Sequence, residues 1–173
     1  MNKAIFLDRD GTINVDYGYV YKKENLKFID GVIEGLKILS DLDYKLIIVT
    51  NQSGIGRGMY TEKDFKAFNK YMLKALKEED INIDKVYYCP HNPDDNCNCR
   101  KPKLELFYKA IEDFNIDINN SFAIGDKTRD LAICKIENVN GILLTKDNNK
   151  DYICKNNLLE AAEYIKELYG SDV

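Results

Sequence analysis

Apolar and polar positions change places in regular blocks along this chain. Residues 4–7 form an apolar run too brief for a helix, read as a strand, and it stops at Asp8-Arg9-Asp10-Gly11-Thr12. Val32, Leu36, Leu39 and Leu42 recur at near-helical spacing and predict a helix that returns the chain to the sheet. Residues 45–49 are a continuous β-rich run, as expected for a strand covered on both faces, and they end in Thr50-Asn51-Gln52-Ser53-Gly54. Thr61, with Phe65, Phe68, Met72, Leu73 and Leu76 beyond it, predicts a capped amphipathic helix. Further strands are predicted over 83–88, 121–124 and 141–144, and helices over 104–114 and 158–168. Strand and helix alternate throughout, so the predicted architecture is α/β, a doubly wound parallel sheet with helices on both faces. One domain over 1–173 is expected, because no repeat, low-complexity segment or Pro-, Gly- or Ser-rich linker divides it. Two non-helical insertions, 14–30 and 89–102, are too short for a separate cap domain but can roof a pocket.

Composition narrows the function. A chain of 173 residues can bury a real core, and 45% hydrophobic with 31% charged residues is ordinary for a soluble globule. A formal net charge of -4 argues against a broad nucleic-acid or anionic-membrane surface, both of which want a basic face. An anionic substrate must then be met by local positive charge. The start has too few apolar residues for a signal peptide, and no stretch approaches membrane-spanning length, so a cytoplasmic monomer is expected.

The candidate chemistry gathers where strands end. Asp8 is expected at the carboxyl edge of the first strand, where open parallel sheets bind ligands, and Gly11 gives the chain freedom to turn. A carboxylate there can attack phosphorus and form an acyl phosphate, while Asp10 protonates the leaving oxygen. Asp-x-Asp-Gly alone is also a common acidic turn or calcium loop. Two further strand ends carry Thr50 to Gly54 and Asp126 with Asp130. If the first and fourth strands are neighbours, Asp8 and Asp126 can share Mg²⁺, which would cancel repulsion between attacking carboxylate and phosphate. The hydroxyl of Thr50 or Ser53 can bind equatorial oxygens, and Lys101 or Lys127 can offset their charge.

Three of the five cysteines crowd into an eleven-residue window with the chain's one histidine. Cys89, His91, Cys97 and Cys99 form a Cys₃His set suited to tetrahedral Zn²⁺, on a loop marked by Pro90 and Pro93. No position remains for water, so the zinc is expected to be structural, ordering the loop directly before Arg100-Lys101-Pro102. Cys134 and Cys154 stand apart and read as unpaired.

In order and spacing, these segments resemble the haloacid dehalogenase superfamily of phosphotransferases, whose four motifs match Asp8 to Thr12, Thr50-Asn51, Lys101, and Gly125-Asp126 with Asp130. The resemblance implies a Rossmann-like fold in which Asp8 is the nucleophile and Asp10 the general acid and later base. It implies Mg²⁺ held by Asp8, the Asp10 carbonyl and Asp126, with Asp130 supporting from behind, and Thr50 and Lys101 stabilising the phosphoryl group. Within the superfamily, the zinc loop beside Arg-Lys-Pro resembles the heptose-bisphosphate and histidinol-phosphate phosphatase families. Residues 8–20 and 50–58 are similar to the heptose family, which implies substrate contacts from Asp16, Tyr17, Gly18, Tyr19, Thr50, Asn51, Gln52, Ser53, Arg100, Lys101 and Lys127. A sugar with two phosphates needs a second cationic grip, for which Arg100, or alternatively Arg57, is suited. Leu104-Glu105-Leu106 is closer to the histidinol-phosphate pattern, so that substrate stays as the alternative. The expected partner is a small phosphorylated sugar. Two other classes compete: a phospho-accepting signalling domain, which would lack a general acid like Asp10 and would not need a zinc loop over the pocket, and a zinc-organised nucleic-acid module, which the negative charge disfavours.

Overall fold

The computed structural model describes residues 1–169; the last four residues of the expected 1–173 domain lie outside them. Among the described residues six parallel strands form one sheet: β1 (Lys3–Leu7), β2 (Tyr44–Asn51), β3 (Lys85–Cys89), β4 (Phe122–Gly125), β5 (Asn140–Leu144) and β6 (Ile153–Lys155), in the order β3-β2-β1-β4-β5-β6. The helices are α1 (Val32–Asp41), α2 (Ser53–Gly56), α3 (Glu62–Glu78), α4 (Glu105–Phe114), α5 (Ile133–Ile136) and α6 (Leu158–Tyr169). None is long and apolar enough to cross a membrane.

Alternate side chains of each strand enter two separate cores. Ile5, Leu7, Leu46, Ile48 and Ile124 pack with Leu36 and Leu39 of α1, Phe68 and Met72 of α3, and Ala161 and Ile165 of α6. Ala4, Phe6, Ile47, Val49 and Ala123 pack instead with Leu106, Phe107 and Ala110 of α4 and Ile133 of α5. Both faces are therefore covered, which is why the strands read as unbroken apolar runs. Each buried Leu, Ile or Phe contributes roughly 1.5–3 kcal/mol, so these two layers hold the sheet rigid beneath its loops. At the start of α3 the expected cap is present: Thr61 Oγ1 accepts from the Asp64 N–H at 3.1 Å, and the Asp64 carboxylate accepts from the Thr61 N–H at 2.9 Å.

The predicted doubly wound sheet is present, with shifts at its ends. The third strand runs over Lys85–Cys89 rather than 83–88, which makes Cys89 its last residue and leaves Ile83 outside it. The second continues through Thr50 and Asn51, which pair with Tyr88 and Cys89, because the backbone ladder persists after the side chains turn polar. β6 was not foreseen, since three half-polar residues carry no periodic signal. The strand order reverses at β1, with β2 and β3 to one side and β4 to β6 to the other, so a crevice opens at the carboxyl ends there.

Candidate active site

Leu7 pairs with Ile124, and the Asp8 N–H donates to the Ile124 carbonyl at 3.3 Å. The register places Asp8 and Asp126 at adjacent strand ends. Gly11, at φ +84°, turns the chain after Asp10, and a side chain there would overlap the Asp126 carboxylate. Asp8, Asp126 and Asp130 each present an oxygen, all within 4.8 Å of one another.

One buried cation faces this cluster. Lys101, 2% exposed, donates to Asp8 Oδ1 at 3.0 Å, Asp130 Oδ1 at 2.7 Å and the Val49 carbonyl at 2.6 Å, using all three ammonium protons. Burial works against its charge, but Asp8 and Asp130 outweigh it and hold the lysine above its ordinary pKa. Burial pushes Asp8 up to about 7; Lys101 opposes this, while Asp130 and Asp10 add to it. Burial and Asp130 likewise raise Asp126. Asp126 Oδ1 is buried and finds no hydrogen-bond partner among the described residues. Crowded hard oxygens with an orphaned acceptor fit a divalent cation such as Mg²⁺. Both oxygens of Asp130 are already engaged, by Lys101 and by the Lys127 N–H at 3.1 Å.

Asp10 is held from several sides. Arg9 Nη2 reaches its oxygens at 3.0 and 3.1 Å, Asn14 Nδ2 reaches Oδ1 at 3.0 Å, and Gln52 Nε2 reaches Oδ2 at 3.0 Å.

A cleft of about 320 Å³ is lined by these acids together with several cations. Asp8, Asp10, Asp126 and Asp130 line it with Lys101, and so do Asp16, Gly18, Tyr19, Asn51, Gln52, Ser53, Arg100 and Lys127. Tyr17 and Thr50 do not: Tyr17 is 59% exposed, and Thr50 is buried. Arg57, the alternative second cation, lines the cleft as well. Arg100 Nη1 is buried without a hydrogen-bond partner among the described residues, as a guanidinium awaiting an anion would be. The sequence reading missed Arg129 and Tyr60, both on the cleft wall, and the buried Arg9. Arg9 lay in plain sight between the two acids, but a residue between two functional ones reads as a spacer.

The Cys₃His set comes together at the end of β3. His91 Nδ1 lies 3.4 Å from Cys89 Sγ and 3.2 Å from Cys99 Sγ, and Cys89 Sγ lies 3.6 Å from Cys97 Sγ. A tetrahedral zinc with Zn–S bonds of about 2.3 Å has edges of about 3.8 Å, so the four ligands are close to the needed spacing. Burial raises Cys89 and Cys99, so a cation is what would make them thiolates. The loop is stitched to the phosphate side of the sheet by Gln52 N–H to the Cys89 carbonyl and Gly56 N–H to the Pro90 carbonyl, both 2.8 Å.

The model of the polynucleotide kinase 3 phosphatase family matches residues 3–161. A D-glycero-beta-D-manno-heptose-1,7-bisphosphate 7-phosphatase of Helicobacter pylori is 46% identical over 170 residues, 95% of this chain and 98% of the relative. The chain belongs to the heptose-bisphosphate 7-phosphatase family. This family is a branch of the haloacid dehalogenase superfamily of phosphoric monoester hydrolases, the superfamily that the four motifs resemble. A member from Campylobacter jejuni, named for the alpha anomer, is 43% identical over 168 residues, 95% of this chain and 96% of the relative. Among solved structures, a D,D-heptose 1,7-bisphosphate phosphatase of B. bronchiseptica complexed with magnesium and phosphate superposes with a TM-score of 0.87 at 27% identity, over 96% of this chain and 99% of that one.

Proposed function

We propose that this protein removes the 7-phosphate of D-glycero-D-manno-heptose 1,7-bisphosphate through an aspartyl-phosphate intermediate. Asp8 attacks phosphorus, the ester P–O bond breaks, and the sugar oxygen leaves with the proton of Asp10. The Asp10 carboxylate then takes a proton from water, whose oxygen attacks the same phosphorus; the bond to Asp8 breaks and phosphate is released. Lys101 offsets negative charge throughout. Asp8, the Asp10 carbonyl and Asp126 would hold Mg²⁺, which supplies charge neutralisation between carboxylate and phosphate. Ser53 serves the phosphoryl oxygens, and Asp16, Gly18 and Tyr19, which line the cleft, the sugar.

The observation that carries this reading is the lining of the cleft, where Arg57, Arg100, Lys127 and Arg129 accompany the carboxylates and Lys101. A substrate with one phosphate would leave the three arginines of this lining with little counter-charge. The volume of about 320 Å³ suits a sugar bisphosphate, and a net charge of -4 offers no basic track for a polynucleotide. Phosphate release from the alpha and beta heptose 1,7-bisphosphates, histidinol phosphate and fructose 1,6-bisphosphate, compared by kcat/KM, tests it. Release that requires Mg²⁺, favours a heptose and vanishes in Asp8→Asn is expected. A preference for histidinol phosphate would overturn the substrate, and full activity of Asp8→Asn would overturn the mechanism.

A further inference from the structure

We propose that Tyr60 is a positioning residue: by fixing the side-chain amide of Gln52 it aims Asp10 for proton transfer, so that Gln52 serves Asp10 rather than the substrate. The proposal rests on the reading of Asp10 as proton donor.

Gln52 lines the cleft, yet its side chain has no N–H left to offer. One amide proton goes to Asp10 Oδ2 and the other to Thr50 Oγ1, each at 3.0 Å. Thr50 in turn gives its own proton to the Asn51 carbonyl at 3.4 Å, so it can only accept from Gln52. The remaining choice is which end of the amide faces Asp10, and Tyr60 makes it. Its hydroxyl donates to Gln52 Oε1 at 2.5 Å. Rotated by half a turn, the amide would set its carbonyl oxygen against the Asp10 carboxylate and leave the phenol proton without an acceptor. Burial pushes Tyr60 up to about 12, so the proton is present at every working pH.

The relay is one of three grips on Asp10, beside Arg9 and Asn14, and both the relay and Arg9 reach the insertion over the cleft. Arg9, wholly buried, passes from the Asp10 carboxylate to the Val20 carbonyl at 2.7 Å and Asn69 Oδ1 at 3.1 Å. Tyr60 stacks on Tyr21, with centroids 4.8 Å apart and an interplanar angle of 15°. Gly54 makes room for this ring, because a side chain there would overlap it. Through Val20 and Tyr21, the segment that carries Asp16, Gly18 and Tyr19 to the cleft is tied to the proton donor.

Tyr60→Phe tests the relay, since it keeps the ring and its stack and removes one hydroxyl. An alkoxide leaving group needs a proton, whereas p-nitrophenolate departs without one, and kcat/KM reports the steps up to departure. We expect kcat/KM of the variant to fall about tenfold or more on the sugar phosphate, with less than about twofold change on p-nitrophenyl phosphate. Equal losses on both substrates, or no loss on the sugar phosphate, would overturn the proposal. So would a Gln52→Met variant whose KM rises while kcat stays at the wild-type value, the mark of a direct substrate contact. Wild-type activity on the heptose bisphosphate judges the functional reading separately. If wild type cleaves only other alkyl phosphates, that reading falls, and the same ratio measured on those esters decides the relay.

Discussion

Asn51 holds Lys101 by the backbone. Its side-chain oxygen accepts from the Lys101 N–H at 2.9 Å and its amide donates to the Lys101 carbonyl at 3.1 Å, so the end of β2 clamps the loop that brings the lysine to Asp8. Asn51→Ala should loosen that loop without touching Asp8. A small positional error at the reacting group can cost as much as about 100-fold in rate, so kcat is expected to fall tenfold or more while the far-ultraviolet spectrum is unchanged. An unaltered kcat in steady-state assays would show that the clamp is dispensable.

Lys101→Met removes the cation between two acids of which one, Asp130, is 2% exposed. Leaving a buried carboxylate unpaired costs roughly 3–5 kcal/mol, partly relieved by protonation. Urea unfolding of the metal-free variant should therefore show a loss of about 3 kcal/mol, with activity abolished. The same variant is expected to regain stability when Mg²⁺ is added, because a second cation then faces Asp8.

Asp126→Asn separates repulsion from metal binding. The native cluster crowds Asp8, Asp126 and Asp130 together, so deleting one charge should raise the thermal midpoint of the metal-free protein. It should also raise the Mg²⁺ concentration for half-maximal activity by tenfold or more. A metal titration followed by phosphate release, beside differential scanning calorimetry in chelator, measures both; an unchanged Mg²⁺ requirement would remove Asp126 from the ligand set.

The sheet was legible because each central strand is apolar on both faces and each helix has one apolar face. Ile47 and Ile48, adjacent in sequence, serve opposite cores. The acids were legible as well, since a strand that ends in carboxylates leaves them at one sheet edge. Which strands neighbour one another was not readable from local pattern; the contact between Asp8 and Asp126 depends on β1 lying between β2 and β4, a long-range choice. Tyr60 and Arg9 escaped for a related reason. Their roles come from partners far along the chain, Asn69 for Arg9 and Tyr21 for Tyr60, and neither tyrosine nor arginine has a spacing that announces such a bond. β6 escaped because its three residues are held by pairing with β5, not by their own preference.

Alkaline pH should unfold the protein through its tyrosines. Burial pushes Tyr44, Tyr60, Tyr87 and Tyr88 each up to about 12 from an ordinary value near 10. Between those values the unfolded chain loses protons that the folded chain keeps, so the tyrosines' contribution to stability is constant below about pH 10 and falls as pH rises toward 12. Absorbance of tyrosinate and circular dichroism, followed together from pH 9 to 12, should show these late tyrosines ionising with the loss of helix. Ionisation complete by about pH 10.5 in a protein that remains folded would contradict the burial.

Zinc should matter to catalysis only through the chain it orders. Cys99 directly precedes Arg100-Lys101, and the loop is joined to the end of β2 by the Gln52 and Gly56 backbone bonds. A Cys₃His site of this kind has no open position for substrate, so a zinc effect on turnover must pass through the chain it orders: Arg100 and Lys101 after Cys99, and Gln52, bonded to the Cys89 carbonyl. Cys99→Ser should therefore lower bound zinc well below one equivalent, lower the thermal midpoint, and reduce kcat/KM on the bisphosphate more than on a substrate with one phosphate, which does not use Arg100. Metal analysis of protein purified without chelator, with calorimetry and both assays, gives the comparison. Wild-type protein free of zinc yet equally stable and active would show that the four ligands hold the loop without a metal.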